Sequence, residues 1–147
     1  METTSAKVPT SFWIVSIIFL LWNLMGVMSF YMHVFISDEA IAALPEAEAA
    51  MYAEYPLWTD IAFAVAVIGG LLASIGLLMR QKGVRFLASI SLVAIIIQMT
   101  HNVFFTSAME VYGVAQAVTM PILVVILGAL LLWYAGRAKD RGWLRKS

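Results

Sequence analysis

The chain has 147 residues, 63% hydrophobic and only 12% charged, with nine Lys and Arg against nine Asp and Glu. A soluble domain has about 45–50% apolar and about 25% charged residues, so this composition excludes an ordinary water-soluble globule and points to the bilayer as solvent. No cysteine is present, which excludes disulfides, iron–sulfur clusters and thiol redox chemistry, and zero net charge gives no reason to expect a nucleic-acid partner.

Residues 1–10 form a short polar tail with Lys7 and Pro9, and Thr10 or Ser11 can cap the helix that follows. The first span, residues 11–36, has no Asp, Glu, Lys or Arg. At about 1.5 Å per residue it exceeds the ~30 Å hydrocarbon thickness of a bilayer. It is also longer than the roughly 7–15 residue apolar core of a secretory signal, so it reads as a membrane span.

Residues 37–57 are the one sizeable connection. Ser37 followed by Asp38 and Glu39 marks one helix start, and Pro45 followed by Glu46 and Glu48 marks another. Ile41, Leu44, Met51, Tyr52 and Tyr55 fall near one face, which predicts two short amphipathic helices on the membrane surface. They serve either as a lid or partner dock, or as a plain solvated connector.

The second span covers residues 58–79. The basic turn Arg80-Gln81-Lys82-Gly83 follows, with Gly83 suited to stop the helix. The third span covers 84–108 and the fourth 114–135, with Pro121 either kinking the fourth or lying near its true start. The connections 80–83 and 109–113 are short, which favours antiparallel neighbours. Residues 136–147 form a basic tail that can touch anionic lipid headgroups or act only as a topology anchor. The fold class expected is an all-α membrane protein: a four-transmembrane-helix antiparallel bundle, residues 1–147 as one domain, with a helical outer loop between helices 1 and 2.

Every Lys and Arg lies at the N-terminus, in the second connection or in the tail: Lys7, Arg80, Lys82, Arg85, Arg137, Lys139, Arg141, Arg145 and Lys146. Asp38, Glu39, Glu46, Glu48, Glu54, Asp60 and Glu110 lie in or beside the other two connections. The positive-inside rule then places both termini in the cytoplasm. Trp13, Trp133 and Tyr134 suit the inner interface, and Tyr31, Trp58 and Tyr112 the outer one.

Ala62, Ala66, Gly70 and Ser74 recur every fourth residue along the second span, with Gly69 and Ala73 in a parallel row. Small residues at this spacing let helices approach closely in lipid. They serve either a homo-oligomer face or packing within the bundle.

No ionisable carboxylate or basic residue lies deep in a span, which removes the intramembrane acid common to proton-coupled carriers and the arginines of voltage sensors. The polar set that remains is neutral: Asn23, Gln98, Thr100, His101 and Asn102, with His33 at the outer end of the first span. Asn23, Gln98, His101 and Asn102 can line a pocket for a neutral polyol, sugar or quinone, or they can hydrogen-bond between helices and fix the bundle. Met25, Met28 and Met32, with His33, Met99 and His101, form a weaker alternative as soft ligands for copper or axial ligands for haem. Methionine is equally a filler of apolar gaps. No nucleophile–base pair, carboxylate pair or motif-spaced metal set is present, so neither an enzyme nor a resident cofactor is expected.

The stretches FWIV and LLWNLMGV in the first span, LPEAEAAMYAEYP in the outer loop, QMTHNVFF in the third span and WYAGRAKDRGWLR at the end occur in that order. In this the chain resembles a group of small, largely uncharacterised four-span inner-membrane proteins of bacteria, some labelled "sugar transporter". The resemblance covers nearly the whole chain and implies a four-helix membrane fold; it brings no binding residues with it. The outline alone is also similar to DoxX-like proteins. Two functions stay open: a small-solute, sugar-like permease with a neutral polar pocket, and an accessory or partner-binding membrane protein that transports nothing. A haem- or copper-binding membrane protein is third.

Overall fold

A computed structural model describes residues 7–145. Lys146, the last basic residue of the tail, lies outside them. Seven α-helices follow one another: α1 (Thr10–Val34), α2 (Asp38–Ala42), α3 (Glu46–Met51), α4 (Leu57–Leu78), α5 (Val84–Phe104), α6 (Ala108–Tyr112) and α7 (Val114–Asp140). A single 3₁₀ turn, Tyr52–Glu54, joins α3 to the approach to α4. Four of them, α1, α4, α5 and α7, are long and apolar enough to cross a membrane. The chain is a multi-pass membrane protein built as an antiparallel four-helix bundle. Packing runs in the order α1–α4–α5–α7.

The span boundaries shift at the ends for local reasons. The first helix has no side-chain cap: Pro9 sits at its N-cap, and the Pro9 carbonyl accepts from the Phe12 N–H at 3.1 Å. Its fixed φ makes proline a good residue to enter a helix. Nor does Gly83 stop α4; its φ is −81° and it precedes α5. The stop is Arg80, at φ +56°. There the Gln81 N–H donates to the Gly76 carbonyl at 2.8 Å and the Arg80 N–H to the Leu77 carbonyl at 2.9 Å. This is the Schellman pattern, which normally puts glycine in the left-handed position. Arginine is held there by its other bonds. Its Nε donates to the Trp143 carbonyl at 2.6 Å, and its own carbonyl accepts from the Arg145 N–H at 2.7 Å.

The fourth span continues five residues past the expected Ala135, to Asp140. It closes with the same pattern around Gly142 at φ +74°: Trp143 N–H to Ala138 carbonyl at 2.9 Å, Gly142 N–H to Lys139 carbonyl at 3.1 Å. The third ends earlier than expected, at Phe104, and the expected connection is itself helical, as α6. Gly113 at φ +84° then turns the chain into α7. Pro121 lies inside a continuous α7. Lacking an N–H, it leaves the Ala117 carbonyl without its usual helical donor.

The two ends of the bundle differ in density. At the end carrying the termini, Phe12, Phe19, Ala73, Leu77, Val84, Ala88, Leu131 and Ala135 form one buried cluster, with Trp143 and Tyr134 packed against it. The rings of Phe12 and Trp143 are 5.6 Å apart and those of Phe12 and Tyr134 6.2 Å, so α1 and α7 meet here. Toward the other end the buried cluster shrinks to Ala66, Ala94 and Ile95. The helices there enclose open space instead of side chains.

Both short helices of the outer loop form where the acids and Pro45 place them. Ser37 Oγ accepts from the Ala40 N–H at 3.1 Å, a regular N-cap. The loop is clamped across the bundle by Glu54. Its carboxylate accepts from the Ser107 N–H at 3.1 and 3.2 Å and from the Ser107 hydroxyl at 3.1 Å. Hydrogen bonds to a charged acceptor each contribute about 1.5–3 kcal/mol where they are shielded from water, and less at a partly wet site such as this. Glu54→Ala should therefore free the loop locally and raise amide exchange at Ser107 and Ala108 about tenfold, with little change in global unfolding. Exchange by mass spectrometry in detergent reads this; unchanged protection at those amides would mean that the clamp does not hold the loop.

Candidate functional site

Between the four long helices, in the loosely packed half, lies a cavity of about 290 Å³. All four contribute to its wall: Trp22, Asn23, Gly26 and Ser29 from α1, Phe63 and Ala66 from α4, Gln98, Met99 and Asn102 from α5, and Met120, Pro121 and Val124 from α7. The wall is mainly apolar, with three side-chain amides set into it.

The amides have different circumstances. Asn23 Nδ2 donates to the Phe19 carbonyl at 2.8 Å and to Ser74 Oγ at 3.1 Å, and Ser74 Oγ donates onward to the Gly70 carbonyl at 2.9 Å. This amide ties α1 to α4. Gln98 is 5% exposed, and its amide forms no hydrogen bond within the described residues. Asn102 Oδ1 is buried and has no donor. Buried polar atoms are normally satisfied, so Gln98 presents unspent hydrogen-bonding capacity to the cavity, while Asn102 lines it with its Oδ1 unpartnered but closed off from it.

Gln98 and Asn102 share a face because they are one helical turn apart. His101 is rotated about 100° from Asn102 and leaves that face. It lies instead among Trp58, Phe105 and Tyr55, with ring centroids 5.3, 6.2 and 5.5 Å away. The structure thus brings three of the four pocket residues, Asn23, Gln98 and Asn102, to one cavity and places His101 elsewhere.

The soft-ligand set is not gathered. Met28 and Met32 point outward and are 65% exposed, while Met25 and Met99 border the cavity. His33 packs against Tyr52, Tyr55 and Phe63, and its Nε2 is 3.7 Å from Asp60 Oδ1. Both histidines touch the ring of Tyr55, at 4.7 Å for His33 and 5.5 Å for His101. Among the described residues no group of three His, Asp or Glu side chains is spaced to hold a metal ion.

Burial holds the Tyr55 phenol above its ordinary range, and the charge of Glu54 pushes the same way. A phenol with a raised folded-state pKa binds its proton more tightly in the native chain than in the unfolded one. The stability of this corner is therefore complete below about pH 10 and is lost as pH rises through the folded value. Burial raises the Tyr112 phenol as well, so alkaline unfolding followed by tyrosinate absorbance should show one late-ionising tyrosine fewer in Tyr55→Phe than in the wild type; an unchanged number would mean that Tyr55 ionises in its ordinary range.

The small-residue row of α4 is largely used inside the chain. Ala66, Gly70 and Ser74 are buried. The Ala66 carbonyl accepts from Ser91 Oγ of α5 at 2.6 Å, and Gly70 lies against the Asn23 amide of α1. Ala62 alone opens onto an outward-facing apolar groove beside Ile61, Val65 and Phe86.

Trp22, Gly26 and Ser29 of α1 are contributors to the cavity that sequence reasoning did not assign to it. Gly26 does have a discernible reason, since a Cβ there would come 3.2 Å from Val67 Cγ1. Gly26 and Ser29 follow Trp22-Asn23 at helical spacing, which is the signal that could have found them. No protein-family model, no curated protein and no solved structure matches this chain.

Proposed function

We propose that this is a multi-pass protein of a bacterial inner membrane, with both termini cytoplasmic, that binds a small uncharged solute in the cavity between its four spans as a permease. The observation that carries the reading is the unpartnered Gln98 amide, with the Asn102 side chain beside it, in a cavity large enough for a small molecule. An amide carbonyl without a donor calls for a ligand bearing at least one O–H or N–H group. The mainly apolar wall favours a solute with one polar edge over a fully hydroxylated sugar. Absence of intramembrane charge supports an uncharged solute. Segregation of the basic residues to the end holding the termini supports the orientation.

A second reading, an accessory membrane protein without transport, draws support from Asn23, whose amide is consumed by a bond between helices. The two readings part at Gln98. Replacing an unpartnered amide by leucine breaks no bond, so Gln98→Leu should leave thermal stability unchanged or higher, whereas Asn23→Leu should lose about 1 kcal/mol. Native mass spectrometry of chains released from nanodiscs should find a small retained mass on the wild type that Gln98→Leu lacks. A bare wild-type chain, or marked destabilisation by Gln98→Leu, would favour the accessory reading.

A further inference from the structure

At the end holding the termini, α5 and α7 form a groove of about 440 Å³ whose wall includes Arg85, Trp133, Gly136, Arg137, Asp140 and Arg141. Three guanidinium groups belong to it. Arg137 lies in the last turn of α7 and Arg141 caps its end in helical conformation one turn on, so they share a face. Arg85 of α5 lies across Gly136 of α7: a Cβ at Gly136 would be 3.8 Å from Arg85 Nε and 3.9 Å from its Cζ. Arg137 Cζ sits 5.7 Å from the centroid of the Trp133 ring.

Among the described residues none of these three side chains donates a hydrogen bond, and no Lys or Arg forms an ion pair with a carboxylate. Asp140 lines the same groove, yet it lies beyond ion-pair distance of all three. Three converging cations with unspent donors repel one another unless an anion sits among them. The guanidinium fork is suited to phosphate oxygens, which it can bind bidentately. Trp133 is 60% exposed beside the groove. An exposed tryptophan at the end of a span marks headgroup depth.

We propose that this groove binds the phosphate of an anionic phospholipid, with Arg85, Arg137 and Arg141 on the headgroup and Trp133 at the start of the acyl region. This differs from a general attraction of the basic tail, because it depends on Arg85 of another helix and on particular arginines, not on the sum of charge.

The full chain is reconstituted in phosphatidylcholine nanodiscs with phosphatidylglycerol as the minor lipid, and lipids retained on release are counted by native mass spectrometry. The double variant Arg137→Gln/Arg141→Gln is compared with Lys82→Gln/Arg145→Gln, which removes equal charge at the same end outside the groove. The expected result is preferential retention of phosphatidylglycerol by the wild type, reduced about 10–30-fold in the groove variant, the loss of two basic residues at roughly fivefold each, and much less in the other. Equal losses in both variants would overturn the site in favour of diffuse charge. Loss of the lipid to competing inorganic phosphate would reassign the groove to a free anion. Should the double variant fail to fold, Arg141→Gln alone, at an exposed position, is read against Arg145→Gln by the same criterion.

Discussion

Phe12→Ala should lower the stability of the folded chain by about 3–5 kcal/mol, the range for emptying a buried aromatic site. Phe12 is fully buried, and among the described residues it is the largest side chain of which this is true. Its ring contacts Trp13, Tyr134 and Trp143 at centroid distances of 5.1, 6.2 and 5.6 Å. The site therefore joins the start of α1, the end of α7 and the segment beyond it, where Phe12, Tyr134 and Trp143 form one aromatic cluster, the last two 6.2 Å apart. That segment is also held by Arg80, through Nε to the Trp143 carbonyl. Loss of the ring should release residues 141–145 first, seen as faster amide exchange there, and then lower the unfolding temperature in detergent. Phe12→Leu should recover most of the loss. A Phe12→Ala chain as stable as the wild type would show that the termini do not anchor the bundle.

Gly70→Val should destabilise by about 3 kcal/mol, at the upper end of the range for overpacking. A Cβ at Gly70 would overlap Asn23 Oδ1 and stand 3.3 Å from Ser91 Oγ. Asn23 cannot move aside without giving up its bonds to Ser74 Oγ and the Phe19 carbonyl. The substitution thus adds steric strain and loses the tie between α1 and α4. The test is a double-mutant cycle by thermal unfolding. Asn23→Ala removes the obstructing group, so Gly70→Val should cost markedly less in that background, a coupling of about 1 kcal/mol or more. Strict additivity would show that the two residues do not meet.

The architecture was legible because its determinants are long-range averages. Uncharged runs gave the four spans, short polar connections their antiparallel order, and Ser37, Pro45 and the nearby acids the two loop helices. What escaped was decided by single contacts between distant residues. Arg80 takes a left-handed conformation that suits Gly83 better on propensity alone, because two bonds to the C-terminal segment hold it there. The third span breaks after Phe104, next to Ser107, where Glu54 from the outer loop satisfies the Ser107 N–H and hydroxyl.

The candidate site was legible in part for the same reason. Helical spacing puts Gln98 and Asn102 on one face, and that can be counted along the chain. His101, three residues from Gln98, falls on the same broad face by spacing, but it stands about 100° round from Asn102 and packs on the aromatic side with Trp58. Asn23 shares the cavity, yet which amides are spent and which are free depends on Ser74, a residue from another helix. The small-residue row of α4 likewise reads as a contact face in sequence, and only the packing order of the helices assigns Ala66 and Gly70 to neighbours within the chain.

The central claim is that the space beside Gln98 and Asn102 admits a polar molecule. The chain has no cysteine, so single substitutions can be labelled without background. A thiol reacts as its thiolate, which forms in water and not in lipid. Asn102→Cys and Ser29→Cys border the cavity, while Ile97→Cys faces outward and is 48% exposed in the isolated chain. In reconstituted vesicles a small water-soluble maleimide should modify the first two at least tenfold faster than the third, a ratio set by the thiolate fraction at each site. Equal and negligible labelling at all three positions would contradict the account, leaving the amides as fittings of a dry bundle.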